Sequence, residues 1–119
     1  MRALRADKMR VVRAWFAPML KSSSEVVQQQ VFSAVEATRT DVFLAALMSL
    51  TVYDAKGIVT SYRGPRLSIA AADLETPGSF QSQFPEIPAV RIPGAGHWLM
   101  LDKPAEVNAA LDEFLAAIP

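Results

Sequence analysis

The stretch Ala89-Val90-Arg91-Ile92-Pro93-Gly94-Ala95-Gly96-His97 carries the only histidine of this 119-residue chain. Its first part is a short apolar run that contains the β-branched residues Val90 and Ile92, which is typical of a buried strand. The segment Pro93-Gly94-Ala95-Gly96 breaks that run with residues that favour turns. We therefore predict a strand and then a loop that places His97 at the carboxyl end of the strand, where open α/β sheets gather ligands and catalytic groups.

The segment after His97 has the apolar spacing of a helix. Six apolar residues share one predicted helix face, namely Val107, Ala110, Leu111, Phe114, Leu115 and Ile118. Asp102 is the predicted cap of this helix, and Pro104 suits its first turn because a proline lacks the N–H that would have no partner there. Strand, loop and helix in this order indicate an α/β protein.

An earlier segment repeats the layout of a strand, a turn and a titratable side chain. The predicted strand Arg66-Leu67-Ser68-Ile69-Ala70 leads to Asp73 and Glu75, and Ser79 to Pro88 is predicted to form a short helix or turn before the second strand. Two neighbouring strands would bring a carboxylate and the His97 imidazole to the same rim of the sheet. A carboxylate there orients the imidazole, which in turn removes a proton from a nucleophile or from water.

The first half of the chain is predicted to be helical. Pro18 should end a basic, amphipathic first helix near Phe16. The stretch Ser22-Ser23-Ser24-Glu25 has the Ser-x-x-Glu pattern of a capping box and predicts a second helix. A third helix, over about 42–52, is apolar on nearly every side, so we expect it to be covered on more than one face. Gly57 is its predicted C-terminal stop.

Composition excludes several functional classes. Hydrophobic residues make up 51% of the chain, and 12 basic residues balance 12 acidic ones, so nothing favours binding to nucleic acid or to an acidic membrane. Cysteine is absent, which excludes disulfides and a cysteine nucleophile. With no histidine pair for zinc and no glycine-rich phosphate loop, we expect no metal and no cofactor. The charged N-terminus and the lack of a long apolar stretch predict a cytoplasmic protein without a membrane span.

From about residue 54 onward, the chain resembles the C-terminal half of the α/β-hydrolase superfamily. Three segments carry the resemblance: Gly94-Ala95-Gly96-His97 after a strand, Asp102-Lys103-Pro104-Ala105-Glu106-Val107-Asn108 leading into a helix, and Pro65-Arg66-Leu67-Ser68-Ile69 as the strand before the acid. The order of acid and then histidine is also the order used by that fold.

The resemblance implies a partial α/β-hydrolase fold, with a helical lid and connecting helix over residues 1–58 and the C-terminal part of the core over 59–119. The core part would consist of a strand, a helix, a second strand parallel to the first, and a final helix. His97 would be the general base and Asp73 the acid, with Glu75 as the second candidate because the acid of the family commonly falls at the position of Leu74. The implied reaction is hydrolysis of a small apolar ester or a related acyl compound.

One part of that machinery is missing from the sequence. The nucleophile of the family sits in a Gly-x-Ser-x-Gly elbow, and none of the five glycines of this chain belongs to such a motif. We therefore expect the chain alone to be inactive and to need a partner, either a separate N-terminal hydrolase half or a second copy of itself. The alternative is a truncated, non-catalytic hydrolase-like module that binds a protein partner or self-associates.

Overall fold

The computed structural model describes residues 2–74 and 76–118, and the first half of the chain is helical. The helices are α1 (Arg2–Ala6), α2 (Lys8–Phe16), α3 (Glu25–Ala37), α4 (Thr40–Leu50) and α5 (Ala55–Ser61). The predicted first helix is two helices, because the Asp7 carboxylate accepts the backbone N–H of Arg10 at 3.0 Å and so caps a new helix. As predicted, the helix before Pro18 ends at Phe16.

Two basic side chains of α2 fasten it to α3. The Lys8 ammonium donates to the Val35 carbonyl at 2.6 Å and also to the carbonyl of Thr38. These carbonyls lie at the carboxyl end of α3, where a helix leaves acceptors unpaired and its dipole favours a cation. The Arg13 guanidinium lies 4.5 Å from the centre of the Phe32 ring, which is a cation–π distance.

Ser24 caps α3, whereas the Ser-x-x-Glu pattern predicts a cap at Ser22. The Ser24 hydroxyl accepts the backbone N–H of Val27 at 3.3 Å. Ser23 is buried and donates its hydroxyl to Asp102 at 2.9 Å. Because this long-range bond holds Ser23 outside the helix, the following serine takes the cap position.

Replacing Ser24 with alanine is expected to lower the free energy of unfolding by about 1 kcal/mol, since it removes the acceptor for an N–H of the first turn. The matched control is Ser22→Ala at an exposed position, expected to change stability by less than about 0.5 kcal/mol. Urea unfolding followed by circular dichroism measures both. A larger loss of stability for Ser22→Ala than for Ser24→Ala would show that Ser22 is the cap, as the sequence pattern predicts.

The third helix is less covered than the sequence predicts. Leu44 is 2% exposed, whereas the side chains of Val42, Met48 and Leu50 are more than half exposed. Within residues 2–74 and 76–118, no single helix is long and apolar enough to cross a bilayer, although α4 and α5 together, across a bend of 55°, have the length and composition. The described chain therefore leaves an apolar surface on α4 without a covering layer.

Gly57 begins a helix instead of ending one, which corrects the predicted stop. It lies in the first turn of α5, and its backbone N–H donates to the Asp54 carboxylate at 2.8 Å. A side chain at position 57 would collide with that same carboxylate. The glycine therefore makes room for the Asp54 cap. Helix α5 also crosses the predicted boundary between residues 58 and 59.

The second half of the chain contains a two-stranded parallel sheet, as predicted. Its elements are β1 (Ser68–Ala71), a 3₁₀ turn (Ala72–Leu74), α6 (Phe80–Gln83), β2 (Ala89–Ile92), α7 (Leu99–Asp102) and α8 (Pro104–Ala116). The strands pair in the register Ser68 with Ala89 through Ala71 with Ile92. Strand β1 begins two residues later than the sequence pattern indicates, and Pro104 opens α8 as expected.

Helix α8 packs against one face of this sheet, and α6 contacts the other through a hydrogen bond. On one face, Ala71 and Ile92 form a buried cluster with Val107 of α8. On the other face, the Gln81 amide of α6 donates to the Ser68 hydroxyl at 2.6 Å. A mixed helical chain with a small parallel sheet between helices is compatible with the α/β class.

Candidate functional site

The parallel pairing brings the carboxyl ends of β1 and β2 to one rim of the sheet. Asp73 lies two residues beyond β1, and Gly94 lies two residues beyond β2. One oxygen of the Asp73 carboxylate accepts the backbone N–H of Gly94 at 3.2 Å. Gly94 has a φ of 65°, a left-handed conformation that glycine adopts without strain. The predicted acid thus touches the loop that carries the predicted base.

His97 stands exposed on this loop, and its backbone is firmly held. Its N–H donates to the Met19 carbonyl at 2.9 Å, and its ring lies edge-on to Trp98 with centroids 5.0 Å apart. In the part of the chain that the structure describes, the imidazole nitrogens have no hydrogen-bond partner, so Asp73 reaches the loop backbone and not the ring. Glu75, the second candidate acid, lies outside the described residues.

The helical first half lies directly beside the rim. The Trp98 ring packs on Phe16 of α2 with centroids 5.1 Å apart. Trp98 also contacts a buried cluster formed by Leu20, Val27 and Val31. An exposed imidazole therefore stands next to apolar side chains contributed by both halves of the chain. Such a setting suits a substrate with an apolar part and a polar reacting group.

Asp102 joins the two halves of the chain beneath His97. One oxygen of its carboxylate accepts the Ser23 hydroxyl at 2.9 Å and the Gly96 backbone N–H at 2.8 Å. Its other oxygen is buried and has no hydrogen-bond partner among the described residues. The prediction that Asp102 caps the following helix is therefore wrong. Asp102 is the last residue of α7, and Lys103 holds the cap position of α8 without a side-chain hydrogen bond.

Gly96 leaves no room for a side chain. A Cβ at this position would lie 2.5 Å from the Ser23 hydroxyl oxygen, 2.6 Å from the Met19 carbonyl oxygen and 3.2 Å from the Asp102 carboxylate. Separations under 3.0 Å require atoms to move, and the Met19 carbonyl is part of the backbone. The glycine therefore permits the close approach that lets Met19 and Asp102 hold the His97 loop.

Replacing Gly96 with alanine is expected to destabilise the protein by about 2–3 kcal/mol, since the methyl group overpacks a closed contact. The matched control is Gly94→Ala in the same loop, where the nearest atom, in Lys103, is 4.0 Å away and only the positive φ is strained. The free energy of unfolding of Gly94→Ala should fall by about 1 kcal/mol. Chemical denaturation measures both, and equal losses would mean that the close contact at position 96 is not significant.

The sequence alone did not indicate the roles of Met19, Ser23 and Asp102. Ser23 and Asp102 are 79 positions apart in the chain, so no local spacing connects them. The only local sign was Gly96 directly before the single histidine, because such a glycine often marks a close backbone approach. From that sign, an acidic residue close to His97 in sequence, such as Asp102, could have been considered as an acceptor for a backbone N–H of the loop.

The rim holds an exposed imidazole, a group used for proton transfer in many enzymes, on a loop whose Gly94 N–H donates to Asp73. Among residues 2–74 and 76–118, no three potential metal-ligating side chains of His, Cys, Asp or Glu lie together. No family model, no curated protein and no solved structure matches this chain. The geometry of the rim is therefore the basis for assigning a function.

Proposed function

We propose that this chain supplies the acid and the general base of a hydrolase of the α/β-hydrolase type, acting on small apolar esters. One observation carries the proposal: Asp73 and the His97 loop lie at the same rim of a parallel sheet and are joined by the 3.2 Å bond from the Gly94 N–H to the Asp73 carboxylate. The order of acid and then histidine along the chain agrees with it.

In this proposal, the His97 imidazole removes the proton from a hydroxyl nucleophile while that oxygen attacks the ester carbonyl. The resulting imidazolium then gives its proton to the departing alcohol. Asp73 is the acid of this proposal: from its bond to the Gly94 N–H it would turn to the imidazolium, whose positive charge it stabilises. Since no described residue forms a hydrogen bond with the imidazole nitrogens, His97 is open to both proton transfers.

The nucleophile comes from another polypeptide in this proposal, because the sequence has no Gly-x-Ser-x-Gly elbow. The partner is a hydrolase half that bears the serine, or a second copy that completes the sheet. Strand β1 contains neither a charge nor a proline to protect a free edge, so a further strand from the partner can pair with it. The apolar surface of Phe16 and Trp98 beside the rim favours an ester with an apolar acyl chain.

Hydrolysis of nitrophenyl butyrate tests the proposal, with the chain assayed alone and together with the polypeptide encoded immediately upstream of it. The chain alone should match the slow rate of free imidazole at the same concentration, since an exposed histidine is itself a weak nucleophile. The combination should show saturable turnover. If the combination is as slow as free imidazole, the catalytic proposal is wrong.

A second candidate function, a non-catalytic module that binds a protein partner, is favoured by the surface of the chain. Its accessible area is 8215 Å², whereas a folded monomer of this mass exposes about 6300 Å². Its radius of gyration is 16.3 Å, against about 13.5 Å for a compact domain of this length. The excess area is what a partner would cover.

The two candidates differ in one measurable respect. Both expect association, which analytical ultracentrifugation detects, and a stable monomer that stays folded would contradict both. Only the hydrolase expects ester turnover that depends on His97. A partner complex that forms equally well with His97→Ala, and that never hydrolyses esters, would establish the module that only binds.

A further inference from the structure

A cleft lies at the opposite end of the strands from His97. It has a volume of about 390 Å³ and is bounded by α5, α6, α8 and the residues that precede β1 and β2. Leu67 directly precedes β1, and Ile87 lies two residues before β2. Because the strands are parallel, these residues mark their amino ends, whereas His97 follows a carboxyl end. The volume falls within the range of small-molecule sites.

The lining of the cleft combines apolar side chains with one cation. Ile58, Leu67, Phe80 and Phe114 contribute apolar surface, and Arg66 is the charged residue among the described residues of the lining. This composition is that of a ligand site, in which a few polar groups orient a mainly apolar ligand.

The Arg66 guanidinium is held in place but keeps unused donors. One of its terminal nitrogens donates to the Val59 carbonyl at 3.1 Å, and the residue is half-buried. The ion pairs within residues 2–74 and 76–118 are those of Arg10 with Asp7 and Arg39 with Asp41, so no described carboxylate neutralises Arg66. A guanidinium has five N–H donors arranged to bind a carboxylate through two parallel bonds.

We propose that this cleft binds an amphiphilic carboxylate, with its acid group on Arg66 and its apolar chain along Leu67, Phe80 and Phe114. Charge complementarity selects this ligand class, because the described residues of the lining offer a cation and include no acidic residue. A neutral alcohol of the same length would fill the same apolar space but would leave the guanidinium without its counter-charge. The cleft is separate from the His97 rim, so this proposal does not depend on the hydrolase function.

Octanoate and octanol, titrated into the full chain by calorimetry and by methyl NMR, test the proposal. Octanoate should bind more tightly than octanol and should shift the methyl resonance of Ile58, which lines the cleft, more than that of Ile92 at the rim end of β2. Equal affinities for the two probes, shifts confined to Ile92, or no binding up to the solubility limit would each overturn the proposal.

Substitution of the cation makes the test specific. Arg66→Gln should lower the affinity for octanoate about tenfold, which is the effect of losing one charge-assisted hydrogen bond. The affinity for octanol should stay unchanged. The matched control is Arg63→Gln, which removes an exposed arginine of the same loop outside the cleft. If Arg66→Gln fails to fold, Arg66→Lys serves instead: it keeps the charge but cannot form the two parallel bonds, so it should weaken octanoate binding severalfold and leave octanol binding unchanged, and octanoate binding as tight as in the native chain would contradict the role of the guanidinium. Loss of binding in both Arg63→Gln and Arg66→Gln would show that only net charge matters, and would overturn the site.

Discussion

Replacing His97 with alanine is expected to lower kcat for nitrophenyl butyrate by on the order of 10⁶-fold in the assembled hydrolase, which is the cost of losing the histidine of a serine hydrolase. The effect is this large because nucleophile and base act as a unit, so a hydroxyl without its base is a poor nucleophile. Since His97 is the only histidine of the chain, no second imidazole can compensate from within it. Steady-state kinetics at saturating substrate measure the loss.

The same assay identifies the acid. Substitution of the true acid by its amide should lower kcat by about 10⁴-fold, since the imidazole loses its orienting group. Asp73→Asn and Glu75→Gln are therefore compared, with the exposed Asp112→Asn of α8 as a control that should keep full activity. A loss at Glu75 alone would transfer the role from Asp73. Unchanged turnover in His97→Ala would refute the base assignment.

The positions of the strands and of the His97 loop were predictable because their determinants are local, but the prediction of a buried second strand was wrong: Val90 and Arg91 are exposed, and Ile92 is the buried residue of β2. Val90 and Ile92 alternate within a short run, and Gly94 supplies a positive φ directly after it, so neighbouring residues alone define the strand and its end. Parallel pairing then follows from the intervening helix, since a strand that is to run parallel must return by a crossover. The shared rim of Asp73 and His97 is a consequence of that topology.

The errors concern residues whose local signal is outweighed by distant partners. Ser22 and Asp102 both sit in good capping positions by spacing, yet neither caps a helix. A single bond between segments far apart in sequence, from the Ser23 hydroxyl to Asp102, holds the chain before α3, while Asp102 is itself the last residue of α7 and leaves the cap position of α8 to Lys103. Capping rules weigh only the nearest residues, so they give no warning of such a bond.

Gly57 shows a different kind of error. A glycine after an apolar helical run usually ends that helix in a left-handed conformation, but the positive φ values among the described glycines belong to Gly78 and Gly94. At position 57 the determinant is the Asp54 carboxylate, which leaves space for no side chain. A glycine chosen for lack of space and one chosen for its conformation look identical in a sequence.

Replacing Asp102 with alanine is expected to lower the free energy of unfolding by about 3–5 kcal/mol, the largest loss of stability anticipated for a single change in this chain. The substitution removes the acceptor of two donors, the Ser23 hydroxyl and the Gly96 N–H, which are both buried. Each unsatisfied buried donor costs about 1–3 kcal/mol. The exposed Asp112→Ala should change stability by less than about 0.5 kcal/mol.

A double-mutant cycle separates the bond from the bulk of the side chain. Ser23→Ala should cost about 1.5 kcal/mol in the native background, where it removes a donor to a charged acceptor. The cost should be smaller by about 1 kcal/mol when Asp102 is already alanine, because the hydroxyl then has no carboxylate to lose. The stability of Asp102→Asn should lie between those of wild type and Asp102→Ala, since the amide oxygen of asparagine can still accept a hydrogen bond. Additive losses in urea unfolding would mean that Ser23 and Asp102 stabilise the protein separately, and that the His97 loop is not held through their contact.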